Sequence, residues 1–295
     1  MSMRYGALEA GGTKMVMAIM DENGTTLEKE TVPTLTPAET MPAMIDFFKK
    51  NQADVLGIGS FGPLDLNPAS PTFGSITITP KLSWCNYPLL KSFQDALNIP
   101  AAIDTDVNAA ALAEYKMGAA KGKSSCMYVT VGTGIGGGLI INGAPVHGFM
   151  HPEIGHIPLI PEANDPTPDG FCPYHKHCME GMAAGPSIEK RWKISAKELK
   201  PDHPAWQLEI SYIAQLCANA IFSFSPEMII LGGGVMQQKF LIPEIRRKTV
   251  ELLGGYIPEN LISDGLASYI VEPGLDTASG ITGAWILAMQ AAETH

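Results

Sequence analysis

A cluster of histidine and cysteine residues with regular spacing lies in the middle of this 295-residue chain. Cys172, His175 and Cys178 form the pattern C-x-x-H-x-x-C, and His156 precedes it. Cysteine and neutral histidine are ligands that Zn²⁺ selects, and a filled Cys₂His₂ set usually forms a closed structural site. The pattern therefore predicts a structural zinc site. Two carboxylates would project from the loops that this metal holds rigid: Glu153 and Glu180.

Two other interpretations of this cluster are weaker. His177 also lies between the two cysteines, but His175 is better spaced from both of them. A catalytic metal of the metalloprotease type is disfavoured because residues 151–156 lack the order H-E-x-x-H. Pro152 and Gly155 would also oppose the helix which that motif requires.

Three glycine-rich turns are typical of a site that binds phosphate groups. They are Gly11-Gly12-Thr13-Lys14, Gly132-Thr133-Gly134 and Gly232-Gly233-Gly234. Glycines allow a positive φ and close backbone approach, and successive N–H groups form a concavity that binds anions. One copy alone could be only a hairpin turn, but the repetition favours two loops that grip one polyphosphate. No Walker A sequence occurs, and none of the turns is a G-x-G-x-x-G that opens a helix.

The segment Asp104-Thr105-Asp106-Val107-Asn108 lies where a predicted strand ends and a helix begins. Asp or Thr at such a point can cap the helix, and we expect one of the two aspartates to do so. A second carboxylate at the C-terminal edge of a strand is well placed to act as a general base in a cleft. Phosphoryl transfer needs such a base together with groups that bind the phosphates. The aspartates and the glycine turns therefore fit one reaction.

The composition describes a globular, core-forming protein, since 45% of the residues are hydrophobic and 17% are charged. A net charge of −10, without basic runs, argues against nucleic acid and anionic membranes as partners. The odd number of cysteines, five, fits a reducing compartment better than a disulfide framework. Because neither a signal peptide nor an apolar run of membrane-spanning length is visible, we expect a soluble, cytoplasmic protein.

Alternating strands and helices predict an α/β architecture. A strand–turn–strand device opens the chain at 5–20 and recurs at 125–141, which indicates two similar halves that face a cleft. We place the boundary near 118–123. The domains are then 1–118, completed by the C-terminal helix 281–293, and 119–280. Residues 64–84, rich in Pro, Gly, Ser and Thr, predict a long functional loop in the first half.

Six segments, in order along the chain, resemble the motifs of the ROK family of sugar kinases. They are E-A-G-G-T-K at 9–14, S-F-G-P-L-D at 60–65, D-x-N-A-A-A-L-A-E at 106–114, V-G-T-G-I-G-G-G at 131–138, E-x-G-H at 153–156 and the Cys/His segment at 172–180. The resemblance implies a two-domain actin-like ATPase (ribonuclease H-like) fold with the active site in the interdomain cleft. It also implies that ATP and a sugar are the partners and that the protein is a homodimer.

The resemblance assigns roles to particular positions. Asp106 matches the catalytic base, which takes a proton from the attacking sugar hydroxyl. Sugar-contacting positions are matched by Gly62, Pro63, Thr105, Asp106, Glu153, His156 and Glu180. The phosphate loops are matched by Gly11, Gly12, Thr13, Lys14, Thr133 and Gly134, and the adenosine side by Gly233 and Gly234. The metal ligands are His156, Cys172, His175 and Cys178, so the implied cofactors are ATP, Mg²⁺ and structural Zn²⁺.

Departures from the common motifs point to one branch of this family. Glu9 replaces the usual Asp, and the sequence leaves open whether this longer side chain serves Mg²⁺ through water. Thr105 replaces an Asn of the glucokinases, and the C-x-x-H-x-x-C spacing replaces C-x-C-G-x-x-G-C. These features resemble the fructokinase branch, which implies phosphorylation of D-fructose to D-fructose 6-phosphate. A kinase for glucose, mannose or another hexose is the nearest alternative.

Two further classes are disfavoured. A ROK-type transcriptional regulator would require a helix-turn-helix ahead of the first phosphate motif, and we expect none before Gly11; the acidic balance argues in the same direction. A non-catalytic actin-like assembly protein would not need Asp106 or intact phosphate loops. The sequence leaves the anomer preference open.

Overall fold

A computed structural model describes residues 2–294, and Met1, which opens the predicted domain 1–118, lies outside them. Within that range the chain forms two five-stranded sheets. The first sheet contains β1 (Tyr5–Ala10), β2 (Lys14–Met20), β3 (Thr26–Pro33), β4 (Val55–Ser60) and β5 (Ala101–Thr105). The second contains β6 (Ser125–Val131), β7 (Ile135–Ile141), β8 (Ala144–Pro145), β9 (Ile229–Gly232) and β10 (Ile270–Val271). These two sheets supply the strands of the predicted α/β architecture.

Helices lie between and after these strands along the chain. They are α1 (Pro37–Lys50), α2 (Leu89–Leu97), α3 (Asp106–Lys116), α4 (Met179–Ala183), α5 (Gly185–Trp192), α6 (Ala205–Phe224), α7 (Leu241–Leu253), α8 (Glu259–Ile262) and α9 (Ser279–Glu293). The sequence did not predict α4, α8, β8 or β10, because segments this short carry little periodicity. No helix among residues 2–294 combines the length and the apolar character needed to cross a membrane.

The two sheets have the same strand order. In the first sheet the order is β3-β2-β1-β4-β5, and in the second it is β10-β9-β6-β7-β8, which is the same arrangement read from the other edge. In each, an antiparallel hairpin (β1–β2 or β6–β7) is followed by a parallel strand (β4 or β9) that pairs with the first strand of the hairpin. The repeated hairpin that the sequence predicted is thus the start of a repeated sheet.

Burial explains why the strands differ in composition. The interior strand β4 is buried along its whole length, and β2 is buried beyond its first residue, so both consist of nearly continuous apolar residues and glycine. The strand β3 lies at the edge of the first sheet, is mostly exposed and carries the charged run Glu28-Lys29-Glu30. Charged side chains on an edge strand discourage pairing with another chain.

Helix α9 packs against the first sheet and α3, far in sequence from both. The contact is between backbones: a Cβ atom added to Gly57 of β4 would lie 1.9 Å from the carbonyl oxygen of Ala284, and one added to Gly283 would lie 1.9 Å from that of Ala109. Only glycine permits such close approach. The helix predicted at 281–293 therefore lies on the first sheet.

A buried carboxylate fixes the place where the chain passes between the halves. Glu114 on α3 is fully buried and accepts hydrogen bonds from the N–H groups of Ala119 (2.8 Å), Gly274 (2.9 Å) and Leu275 (3.0 Å). It also accepts one from the hydroxyl of Ser279 (2.6 Å). One side chain therefore ties α3 to both segments that join the two sheets.

Candidate active site

A cavity of about 630 Å³ lies between the two halves of the molecule. The first sheet and its hairpin contribute Glu9 and Lys14, α3 contributes Asp106, and α9 contributes Gly280. The second half contributes mainly residues near the end of β9 and the segment after it: Gly232, Gly233, Gly234, Met236, Gln238 and Lys239. Of the predicted site residues, four line this cavity: Lys14, Asp106, Gly233 and Gly234.

Asp106 is the first residue of α3, directly after β5. The helix is capped by Thr105, whose hydroxyl oxygen accepts the N–H of Asn108 at 3.1 Å. The expectation that an aspartate is the cap was wrong, because Asp104 instead accepts hydrogen bonds from the N–H of Thr105 and the amide of Asn108, both at 2.7 Å. Asp106 is thereby left free of the capping role and faces the cavity.

The acidic groups near this cavity have altered proton affinities. Burial raises the pKa of Asp106 to about 6, against the effect of the backbone N–H of Val107, although its side chain keeps some contact with solvent. Burial, and then the charge of Asp106, raises the pKa of Glu9. Burial, and then the charges of Glu180 and Asp106, raises the pKa of Glu153 to about 7. Carboxylates with such pKa values can accept a proton near neutral pH.

The first two glycine turns are closed by their own backbone. In the first, the N–H of Gly11 donates to the carbonyl of Lys14 at 3.0 Å, and the hydroxyl of Thr34 donates to the carbonyl of Gly11 at 2.7 Å. In the second, the N–H of Gly132 donates to the carbonyl of Gly134 at 2.9 Å, and Thr133 is exposed. Both turns therefore present a threonine at the bend of a hairpin, as the sequence predicted.

The backbone conformation of the third glycine turn requires glycine at position 233. Gly233 has a φ of +95°, and a Cβ atom there would lie 2.5 Å from the backbone of Val131. The turn is thus packed against β6, and Gly234 follows it in the lining of the cavity. Any side chain at Gly233 would push this lining away from the second hairpin.

The predicted metal ligands come together. One nitrogen or sulfur atom from each of His156, Cys172, His175 and Cys178 lies within 4.8 Å of the others. Sγ of Cys172 is 3.9 Å from Nδ1 of His156 and 3.8 Å from Nδ1 of His175, and Sγ of Cys178 is 3.6 Å from Nδ1 of His156. Ligands of one tetrahedral zinc ion are separated by roughly 3.3–3.8 Å, given its usual bond lengths. The donor set and its spacing fit Zn²⁺.

Glu180 connects this cluster to the second glycine turn. Cys178 caps α4, with Sγ accepting the N–H of Gly181 at 3.4 Å, and Glu180 follows in the first turn of that helix. Its carboxylate accepts the N–H of Ile135 at 3.0 Å. A Cβ atom on Gly134 would lie 2.7 Å from the same carboxylate oxygen. The carboxylate predicted to contact sugar therefore also holds the turn predicted to bind phosphate.

Two histidines that the sequence left without a role occupy structural positions beside the site. Nε2 of His147 is 3.0 Å from Oδ2 of Asp104. Nε2 of His151 accepts the N–H of Leu64 at 3.0 Å, directly after the predicted substrate residues Gly62 and Pro63. The sequence signal for His151 was its place in the segment His151-Pro152-Glu153. We considered that segment only as part of a metalloprotease-like pattern.

Residues 5–291 match the sequence model of the ROK family, and the chain belongs to that family. A fructokinase from Pediococcus pentosaceus is 44% identical over 98% of this chain and 99% of its own length. A fructokinase from Zymomonas mobilis is 43% identical over 97% of both chains. The crystal structure of a ROK hexokinase from Thermus thermophilus has a TM-score of 0.79 and 26% identity, covering 99% of this chain and 100% of the other. The predicted two-domain actin-like ATPase fold is confirmed.

The raised pKa of Asp106 predicts a pH-dependent effect on stability. A folded-state pKa of about 6 against 3.8 means that the folded protein binds more protons between these values. The ionised carboxylate therefore lowers stability as pH rises through this range, and its full effect is present above about pH 6. We expect Asp106→Asn to raise the free energy of unfolding by about 2 kcal/mol near pH 8, with a gain that shrinks towards pH 4.

Thermal unfolding of both proteins across this pH range measures the effect. Asp46→Asn is the control, because Asp46 is an exposed carboxylate on α1, and we expect it to leave the melting temperature within about 1 °C. An Asp106→Asn protein that is no more stable than wild type at the alkaline end would contradict the burial argument.

Proposed function

We propose that this protein is an ATP-dependent fructokinase that transfers the γ-phosphoryl group of ATP to D-fructose and forms D-fructose 6-phosphate. The observation that carries the proposal is Asp106, a cavity-lining carboxylate with a pKa raised to about 6. The Gly233–Gly234 turn and Lys14 line the same cavity. The two fructokinases named above are similar to this chain over nearly its whole length, which supports the substrate.

In this reaction Asp106 is the general base. Its carboxylate accepts the proton of the sugar hydroxyl as that oxygen attacks the γ-phosphorus, and the leaving group is ADP. The first turn of α3 holds the carboxylate in place through the N–H of Val107, at 2.9 Å. Since little covalent chemistry falls to the protein in phosphoryl transfer, alignment of this carboxylate with the phosphates provides most of the catalysis.

The glycine turns bind the nucleotide. Gly11, Gly12, Thr13 and Lys14 on one hairpin, and Thr133 and Gly134 on the other, offer N–H and hydroxyl donors to the phosphates. The turn with Gly233 and Gly234 forms the adenosine side of the cavity. Mg²⁺ bound to ATP would neutralise phosphate charge. Glu9 faces the first turn of α9, where a Cβ on Gly280 would lie 2.5 Å from Cδ of Glu9, and it is the carboxylate that we propose for this ion through water.

The sugar lies on the side of the His/Cys cluster. We propose that its hydroxyls bind to the loop Gly62–Pro63 and to polar side chains from both halves: Thr105, Asp106, Glu153, His156 and Glu180. His156 directs Nδ1 at the cysteine sulfurs, so that Nε2 points away from the cluster and can serve the sugar. A kinase for glucose, mannose or another hexose is the alternative, because the proposed sugar-contacting residues other than Thr105 do not distinguish these substrates.

Zinc would be held by His156, Cys172, His175 and Cys178, which fit it in type and spacing. When bound, the ion would supply a structural cross-link and no acid–base chemistry. The protein groups that it would fix are His156 and, through α4, Glu180. We further propose a cytoplasmic homodimer and the domain division 1–118 with 281–293 and 119–280. Packing of α9 against β4 supports the assignment of that helix to the first domain.

The substrate is tested with a coupled assay of ADP formation over a panel of hexoses. We expect the highest kcat/KM for D-fructose, ahead of glucose and mannose. A higher value for glucose or mannose would replace fructose in the proposal. Absence of ATP-dependent phosphorylation of every hexose would overturn the kinase itself.

Asp106→Asn tests the general base. We expect the variant to fold, to retain the metal content of wild type and to lose about 10²–10⁴ in kcat, because a neutral amide does not accept the proton. The readouts are kcat and KM under saturating ATP. Turnover within a few fold of wild type would remove Asp106 from the mechanism.

Cys178→Ser tests the metal site. We expect loss of bound zinc, a lower melting temperature and a higher KM for both sugar and ATP, because α4 and Glu180 lose their anchor. Metal analysis and thermal unfolding give readouts independent of activity. Cys85→Ser is the control, since Cys85 lies in the first half and its Sγ bonds to the backbone of Thr79, donating to the carbonyl and accepting the N–H. A metal analysis that finds no zinc in active wild-type protein would contradict the prediction.

A further inference from the structure

His151 lies at the contact between the two halves, on the side of the predicted sugar site. Its side chain is almost fully buried, with 3% exposed. Nε2 is 3.0 Å from the backbone nitrogen of Leu64, which belongs to the first half, and Nδ1 is 3.4 Å from Oε1 of Glu153. One imidazole thus contacts the segment that follows Gly62–Pro63 and a carboxylate assigned to the sugar.

The contact with Leu64 determines the state of the ring. A backbone N–H can only donate, so Nε2 must carry a lone pair and the proton of the neutral ring must be on Nδ1. Burial lowers the pKa of His151, which agrees with a neutral ring. The ring is therefore oriented with Nδ1–H towards the second half and the acceptor towards the first.

The peptide group between Pro63 and Leu64 is held from both ends. Its carbonyl accepts the N–H of Thr77 at 2.8 Å and the hydroxyl of Thr77 at 3.1 Å. Its N–H donates to His151. Gly62 also packs on the ring, since a Cβ atom there would lie 3.4 Å from Cε1 of His151. Without the imidazole, this N–H would be left without an acceptor, and the loop would lose the neighbour that limits its movement.

A second contact holds the other end of the same segment. His147, four residues earlier, pairs with Asp104, and Asp104 accepts from Thr105 and Asn108 at the start of α3. Residues 147–151 are therefore fixed to the first half at two points, one beside the base-bearing helix and one beside the Gly62–Pro63 loop.

We propose that His151 is a positioning residue for the sugar, which sets the distance between the Gly62–Pro63 loop and Glu153 by accepting the N–H of Leu64. This role rests on the proposed function. Its side-chain partners are Leu64 and Glu153, both beside the proposed sugar site, so we expect an effect on sugar binding and not on the chemical step.

The test compares two polar replacements of similar shape. His151→Gln places a carbonyl oxygen near the position of Nε2 and retains an acceptor for Leu64, whereas the shorter side chain in His151→Asn does not reach. We expect His151→Asn to raise the KM for the preferred hexose roughly tenfold, with kcat and the KM for ATP within about threefold of wild type. His151→Gln keeps all three values within about threefold.

His203→Asn is the matched control, because Nδ1 of His203 also accepts a backbone N–H, that of Ala205 at 3.1 Å, at the start of α6. It leaves the KM for the hexose unchanged. A wild-type KM in His151→Asn, or a tenfold higher KM in a folded His151→Gln protein, would overturn the positioning role. If His151→Asn fails to fold, His151→Gln alone decides.

The wild-type assay separates this inference from the proposed function. A wild-type enzyme that prefers another hexose overturns the fructose assignment, and the His151 variants are then compared on that hexose. An unchanged KM for that hexose in His151→Asn overturns only the positioning role.

Discussion

The position of the two halves depends on one buried carboxylate. Glu114 accepts three backbone N–H groups and one hydroxyl, from segments on both sides of the second sheet in sequence. These donors lie where the chain enters and leaves the second half. Because the carboxylate of Glu114 is fully buried, it would carry a large desolvation penalty without them. Because Glu114 is on α3, the helix that begins with Asp106, the connection between the halves and the proposed base share one rigid element.

Within the second half, the His/Cys cluster is linked to the Gly132–Gly134 turn. The Cys178 cap, α4 and Glu180 form a short path from the His/Cys cluster to the N–H of Ile135, directly after the Gly132–Gly134 turn. The N–H of Gly185, at the start of α5, donates to the carbonyl of Gly132 in the same turn, at 2.8 Å. A change at the His/Cys cluster would therefore reach the turn proposed to bind phosphate through two hydrogen bonds, and the proposed sugar side through His156.

The sequence predicted features that are set by local spacing. The glycine turns, the place of Asp106 after a strand and the four-ligand cluster each depend on residues close in sequence or on regular spacing, and the structure contains the turns and brings the ligands together. It did not predict the contact of His151 with Leu64, which are 87 residues apart, or that of Glu180 with Ile135. Such partners depend on tertiary packing, which periodicity in one segment does not record. The choice of Thr105 over Asp104 as the helix cap was decided in the same way, by the partners that Asp104 finds.

The glycine contacts of α9 bear on the order in which this protein folds. The first sheet needs this helix, since Gly57 of β4 receives the backbone of Ala284, yet more than 220 residues separate them along the chain. During synthesis the ribosome delivers the whole second sheet before it delivers α9. The second half can therefore reach its native structure while the first half still exposes the apolar face that α9 covers. Until then the nascent first half presents a surface suited to a chaperone, and its closure is a late, long-range event.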